Sequence, residues 1–338
     1  MQDTPPPGRD DGGMTDAISP ISIGLSLPTW PRADRTYATW PEIRALALEA
    51  EAMGIDTLWV PDHLQRELPS GERIGFWECW TIVSALAEAT TRVSIGPYVA
   101  CTGFRNPALL AKMAATLDEV SGGRLVLALG SGVPERDRSW RAFGYDTERP
   151  VARYAEAVEV VARLLRESTL THEGAVFRTD DAELLPRSTV RRAPPVWVSG
   201  AGERTLAVAA RWGDDIDVNL PLAGPADMSE LTAKVRAACD VAGRDPATLA
   251  MSGWSRLVLE ADGTAVPRDG ALAGTPEAVA DTIRGFAAAG LAHLTLYVAA
   301  PDDPSKLPAL RPDTLHRLRP ILAALRADQA PGSDPMPH

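Results

Sequence analysis

The sequence predicts an α/β fold, a (β/α)8 TIM barrel, on three observations. Short apolar runs of strand type alternate with longer amphipathic runs of helix type through eight cycles, the pattern of a parallel sheet whose strands are joined by helices. The helices carry start and stop signals: Pro41, Pro107 and Pro276 stand where a first turn tolerates a missing N–H, and Thr275 precedes Pro276 as an N-cap. Gly54, Gly122 and Gly290 follow helix ends, where a left-handed residue is needed. Each helix is also followed within a few residues by the next strand, the short connection a barrel requires.

The expected strands are 21–27, 57–61, 93–99, 125–129, 195–199, 216–219, 255–259 and 293–298. The expected helices are 40–53, 77–89, 107–120, 151–166, 203–212, 228–241, 276–289 and 304–325. Two insertions interrupt the cycle. Residues 133–149, after the fourth strand, are too polar and Arg-rich for core, and 171–187, with Glu173-Gly174, read as a small β-hairpin before the fifth strand. One domain is expected over 21–326, between a disordered leader at 1–20 and a disordered tail at 327–338. The leader is rich in Pro, Gly and Asp and lacks the apolar core of a signal peptide; Met14 is a second candidate start.

Length does not choose the architecture, since 338 residues suit two ordinary domains or one barrel with insertions. With 45% hydrophobic and 23% charged residues the composition is that of a globular protein. No apolar run approaches the roughly 20 residues that span a bilayer. The formal net charge of -11 argues against nucleic acid or an anionic membrane as a general partner, because both demand a basic face. Cys79, Cys101 and Cys239 are odd in number and form no C-x-x-C pair, which fits a reducing, cytoplasmic setting.

In a parallel barrel the site is built from the loops that follow the strands. After the second strand, Asp62-His63 places a carboxylate beside an imidazole that can move a proton near neutral pH; the plainer reading is a turn cap and an ordinary loop histidine. After the third, Val99-Ala100-Cys101 offers a small apolar wall for a planar ring, with Cys101 read as packing and not as a nucleophile. After the fourth and fifth come Gly130-Ser131-Gly132 and Ser199-Gly200-Ala201-Gly202, the latter opening a helix that contains Thr205. Backbone N–H groups in such turns suit a phosphate, although either motif also serves as a tight β-to-α turn. A dinucleotide fold is disfavoured, because the third glycine position is Thr205 and strands lie on both sides. No metal-ligand spacing exists among the five histidines, and no Gly-x-Ser-x-Gly elbow is present. Arg136, Arg138 and Arg141 form either an anion grip or a solvated loop.

These segments resemble the bacterial luciferase-like oxidoreductase family from about Ile21 to Ala324. The most specific stretch is 80–132, with its Arg-Asn-Pro, Ala-Lys-Met-Ala-Ala-Thr-Leu-Asp and Ser-Gly-Gly-Arg-Leu elements, followed by Asp62-His63 and by Pro195-Val196-Trp197-Val198-Ser199-Gly200. The resemblance implies a barrel that binds reduced FMN or the deazaflavin coenzyme F420, often as a homodimer. It places Asp62 and His63 near the ring, a non-proline cis peptide within Val99-Ala100-Cys101, and cofactor contacts at 130–132 and 200–202. Asp62-His63 together with Glu78-Cys79-Trp80-Thr81 resembles the F420-dependent branch most. Two positions depart from its sugar-phosphate dehydrogenase subfamily: Val133 replaces a glutamate, and Leu64-Gln65-Arg66-Glu67 lacks an aromatic residue. The first expectation is therefore hydride transfer between F420 and a small organic substrate, with His63 as proton donor or acceptor. The alternatives are an FMN-dependent monooxygenase and a non-catalytic flavin-binding barrel.

Overall fold

The computed structural model describes residues 21–32, 34–221, 224–260, 262–266, 271–299, 308 and 310–327. The expected leader and all of the expected tail but Ala327 lie outside the described residues, as does most of the first third of the expected helix 304–325. The barrel strands are β1 (Ser22–Ser26), β2 (Thr57–Val60), β3 (Ser94–Pro97), β4 (Ala100–Cys101), β5 (Leu127–Gly130), β6 (Val196–Ser199), β7 (Asp215–Pro221), β8 (Ala250–Leu257) and β9 (His293–Val298). Their order in the sheet is β3-β2-β1-β9-β8-β7-β6-β5-β4, and every pairing is parallel. Strands β3 and β4 are two parts of one chain run, so the two ends of the sheet meet there. A parallel bridge between Ile95 and Leu125 completes the circle. The expected (β/α)8 barrel is thus present, with its third strand broken in two.

The break lies at Tyr98-Val99, which is joined by a cis peptide bond. The cis bond expected within 99–101 is therefore found one bond earlier, and the strand expected over 93–99 stops at Pro97. The strand expected at 255–259 is also displaced. It runs over 250–257 because Ser252 and Trp254 face the lumen, and their polar and aromatic side chains hide the strand from a search for apolar runs.

Seven helices wrap the sheet between strands: α1 (Trp40–Ala52), α2 (Cys79–Ala89), α3 (Pro107–Val120), α4 (Pro150–Glu167), α5 (Glu203–Trp212), α6 (Met228–Ala242) and α7 (Pro276–Ala288). The last helix among the described residues is α8 (Arg319–Arg326), which follows short turns at Pro312–Leu315 and His316–Leu318. Helix α1 buries Ile43, Leu46, Ala47 and Ala50, the three-and-four spacing of one helix face, and starts with a capping box between Thr39 and Glu42. Gly54, Gly122 and Gly290 all have the expected positive φ. Among the described residues no helix is long and apolar enough to cross a membrane. The expected hairpin before the fifth helical cycle is formed by Thr169–Glu173 and Arg178–Glu183; a second hairpin, Gln65–Glu67 with Arg73–Gly75, was not visible in the sequence.

Alternate residues on each strand point inward, and the inward set is aromatic and polar. Trp59 packs on Tyr98 and Trp197 with ring centroids 4.9 and 5.1 Å apart, and its Nε1–H donates to His293 Nε2 at 3.1 Å. His293 Nδ1 therefore carries the proton and donates to Ser22 Oγ at 2.8 Å, and burial pushes the ring's pKa down to about 3, so it stays neutral. Tyr98 Oη and Ser199 Oγ donate to the two oxygens of buried Asp217 at 2.7 and 2.6 Å. Among the described residues the Asp215 carboxyl accepts only from Ser252 Oγ, at 2.6 Å, and its Oδ1 has no hydrogen-bond partner.

Burial, opposed by Ser252 and reinforced by Asp217, raises the Asp215 carboxyl to about 8. A buried acid with a raised pKa keeps its proton in the fold while the unfolded chain loses it. Its contribution to stability is thus greatest below the ordinary carboxylate range and declines as pH rises through about 8. Asp215→Asn is expected to raise the melting temperature by about 2–4 °C at alkaline pH and less in mild acid, measured by calorimetry. An equal shift at both pH values would refute the assignment.

Candidate active site

The residues expected at the site all fall at the C-terminal ends of the strands, but their side chains do not converge as their order suggests. Asp62 and His63 follow β2 as neighbours and then part. The Asp62 carboxylate is buried: Oδ2 accepts the Cys101 N–H at 2.9 Å and Arg105 Nη1 at 2.6 Å, and Oδ1 accepts Arg105 Nη2 at 3.1 Å. Arg105 also donates to Glu78 Oε1 at 3.0 Å and lies 5.7 Å from the Trp80 ring centre. Burial raises the Asp62 carboxyl against the pull of Arg105, while burial works against charge on Arg105 and Asp62 more than offsets it. These directions oppose one another. A guanidinium keeps its proton in proteins and the contact is bidentate, so the pair is ionic. Asp62 is a clamp on the third loop, not the partner of His63.

His63 turns instead to the insertion after β5. Its Nδ1 lies 2.6 Å from Asp137 Oδ2, its ring packs 5.2 Å from that of Phe76, and its side chain is 45% exposed. Asp137 is buried and its Oδ1 accepts the Ser139 N–H at 2.8 Å. Burial works to raise this carboxyl, but His63 and Ser139 outweigh it and hold it below its ordinary value. An ionised carboxylate only accepts, so Nδ1 carries the His63 proton and Nε2, which has no partner among the described residues, is left to meet a ligand. Ser139 Oγ accepts the N–H groups of Leu64 and Gln65 at 3.0 and 2.9 Å and donates to Gln65 O at 3.0 Å, which fixes the chain beside His63.

Asp137 and Ser139 are the functional residues that sequence reasoning missed. They sit in a charged insertion whose visible pattern was its arginines. Of those arginines, Arg138 pairs with Glu67 at 3.6 Å, and Arg136 and Arg141 are exposed. Tyr154 was missed as well. From α4 its buried hydroxyl donates toward Leu129 O at 2.8 Å and Ser199 O at 3.2 Å and accepts the Ser199 N–H at 3.1 Å, joining the ends of β5 and β6.

Val99 is half-buried at the mouth, while Ala100 and Cys101 are buried and pair with Leu129 and Gly130. A Cβ on Gly130 would collide with Val99 Cγ2, so a side chain there would force Val99 to shift. Gly132 lies beside Cys101 Sγ and Trp140, and the Ser131 hydroxyl donates to Gly132 O at 3.0 Å. Burial first, and the Asp62 charge second, push the Cys101 thiol up to about 12, which rules out an easily formed thiolate.

In the loop after β6, Ser199 is engaged by Asp217, and Gly200, with φ +135°, donates its N–H to Asp217 O at 2.8 Å. Ala201, Gly202 and Thr205 remain at least partly exposed. Gly202 is the N-cap of α5 and supplies no side-chain cap, whereas Glu78, Asn106 and Thr275 cap α2, α3 and α7. Among the described residues no group of three or more His, Cys, Asp or Glu could hold a metal. A cleft of about 360 Å³ beside α3 and α4 lies away from the mouth, and its Arg166, Arg187 and Arg191 already pair with Asp214, Glu183 and Asp118.

A profile of the luciferase-like monooxygenase family matches residues 21–266. The chain belongs to this family. The phthiodiolone/phenolphthiodiolone dimycocerosates ketoreductase of Mycobacterium kansasii is 31% identical over 237 residues, which cover 65% of this chain and 64% of that one, so the chain spans less than two thirds of this relative. An F420-dependent secondary alcohol dehydrogenase, solved with an F420-acetone adduct, superimposes with a TM-score of 0.71 at 20% identity, over 91% of this chain and 99% of that one. A monooxygenase from Streptomyces bottropensis gives 0.71 at 22% identity, over 92% and 100%. At these identities the two structures establish the shared barrel of the luciferase-like fold.

The lowered Asp137 pKa means that its contact stabilises above the ordinary carboxylate range and is lost as pH falls through that range. Asp137→Asn is expected to cost about 1–3 kcal/mol near neutral pH in urea titrations, with the gap to the wild type closing in acid. A gap independent of pH would overturn the assignment of Asp137 as the ionised acceptor in this contact.

Proposed function

We propose that this luciferase-like protein is an F420-dependent oxidoreductase that interconverts an alcohol and a carbonyl on a small organic substrate. The observation that carries the reading is the His63–Asp137 pair at the mouth, with Nδ1 fixed on a buried carboxylate and Nε2 open. The ketoreductase relative and the F420-dependent alcohol dehydrogenase neighbour support the same chemistry.

The residues present fit the cofactor. Val99 and the close-packed Gly130 leave a small-residue face against which a flat ring can lie, and the uncapped start of α5 offers N–H groups at Ala201, Gly202 and Glu203, with the Thr205 hydroxyl beside them, to a phosphate. Asp62 holds that face in place through Cys101 and Arg105. When bound, a deazaflavin supplies or accepts the hydride. His63 Nε2 takes the hydroxyl proton when the alcohol carbon gives up its hydride, and returns it when a carbonyl is reduced. Asp137 holds the ring orientation and stabilises the imidazolium formed in between. The monooxygenase neighbour keeps FMN as the second reading.

Reconstitution decides between the two ring systems: F420 is expected to bind the purified chain more tightly than FMN, followed by absorbance and calorimetry, and the reverse order would sink the proposal. His63→Ala is expected to lower turnover by about 100-fold or more while cofactor affinity is kept, as for a general acid or base; an unaltered rate returns His63 to the status of a loop residue. Gly202→Val is expected to weaken a phosphorylated deazaflavin far more than its dephosphorylated analogue, with the fold checked by circular dichroism. Equal losses for both ligands would move the phosphate elsewhere.

A further inference from the structure

The mouth of the barrel carries a second charged group that the His63–Asp137 pair does not use. Along β8, Ser252, Trp254 and Arg256 share one face by the period of two. Ser252 donates to Asp215 inside the barrel, and Trp254 packs on the lumen aromatic Tyr297, so Arg256 closes the inward row at its C-terminal end. Leu257 points the other way, into the core. Arg256 stands opposite Tyr297 of β9 in register, and its backbone carbonyl accepts the Leu272 N–H at 2.9 Å, which fixes the strand end.

From Arg256 an apolar surface extends toward His63. The guanidinium lies 5.1 Å from the Trp254 ring centre, Trp254 is 5.3 Å from Tyr297, and Tyr297 packs, as Phe76 does, against the cluster of Trp30, Leu68 and Ile74. Trp30 stacks on Phe76 at 5.6 Å, and Phe76 is 5.2 Å from His63. Arg256 is half-buried, lies over the Trp254 ring beside Tyr297, and among the described residues has no carboxylate in ion-pair contact. Arg105, by comparison, is fully engaged by Asp62 and Glu78. A partly desolvated guanidinium that has no carboxylate partner among the described residues favours a bound anion, and its planar fork matches a carboxylate.

Resting on the reading of this mouth as the active site, we infer that Arg256 anchors a carboxylate on the substrate. The apolar body of the substrate then lies along Trp254, Tyr297 and Phe76, and its reacting carbon reaches His63. One guanidinium matches one negative charge, and the aromatic wall suits an apolar body.

The test compares 4-phenylbutyrate with its neutral amide by calorimetry on the full chain, first alone and then with F420 bound. On the wild type the carboxylate is expected to bind at least about tenfold more tightly than the amide, the preference a charge-assisted bond gives. Arg256→Met is expected to abolish that preference while leaving the amide's affinity and the F420 affinity unchanged, and Arg256→Lys to retain part of it. The inference is overturned if the two probes bind the wild type equally or not at all, or if the preference survives in Arg256→Met. It is overturned also if Arg256→Met loses F420 affinity, which would give the guanidinium to the cofactor's own acidic groups. Failure of the cofactor reading is distinct: the wild type would then keep its carboxylate preference without binding F420.

Discussion

The mouth of the barrel depends on the buried contact of Asp62 with Arg105 and the Cys101 N–H. The third strand does not run through. It stops at Pro97, changes path at Tyr98-Val99, and resumes at Ala100 to pair with β5. Something must hold the resumed segment in that displaced path, and the carboxylate of the neighbouring strand end does so from below through three hydrogen bonds. A buried ion pair of this kind gives little net stability, but removal of one partner leaves an unpaired buried charge at a cost of about 3–5 kcal/mol. Glycine at 130 completes the arrangement, because any side chain there would displace Val99.

A second layer of polar contacts below this clamp ties the strands to one another. Asp217 on β7 receives Tyr98 from the third-strand break and Ser199 from β6, and Tyr154 reaches in from α4 to the ends of β5 and β6. Further down, Trp59, Trp197 and His293 pack together in the lumen, with Trp59 hydrogen-bonded to a neutral His293. In a barrel packed by aliphatic layers, many side-chain arrangements would be nearly equivalent. Here Asp217, Tyr98, Ser199, Tyr154, Trp59 and His293 each have a particular partner, so the strand ends are held in one arrangement and the loops above them inherit it.

The insertion after β5 gives the site its character. It delivers Asp137 to His63, locks residues 64–65 through Ser139, and packs Trp140 against Phe104, with Cys101 in the same cluster. It joins the second, third and fourth loops into one unit on one side of the mouth. On the other side stands the row of rings that ends at Arg256. In the proposed reading, His63 moves the proton and Arg256 supplies a fixed positive charge, and together with the apolar wall they orient a small molecule over a flat cofactor.

The sequence by itself determined the barrel, because its information is local and periodic. Proline and glycine at helix ends, the three-and-four spacing of Ile43, Leu46, Ala47 and Ala50, and the β/α alternation are all carried by residues close together in the chain. The loops that hold the site were legible for the same reason, since in a parallel barrel they follow the strands. Which side chains meet in those loops was not. Asp62 and His63 are adjacent in the chain yet diverge, while Asp137 reaches His63 from 74 residues away and Arg105 reaches Asp62 from 43. The β8 row that ends at Arg256 was hidden because its inward residues are Ser and Trp in place of aliphatic ones. Only tertiary packing decided these partnerships. Burial makes an unpaired charge costly, and the nearest partner able to neutralise it is set by how the strand ends are arranged around the barrel, not by their order along the chain.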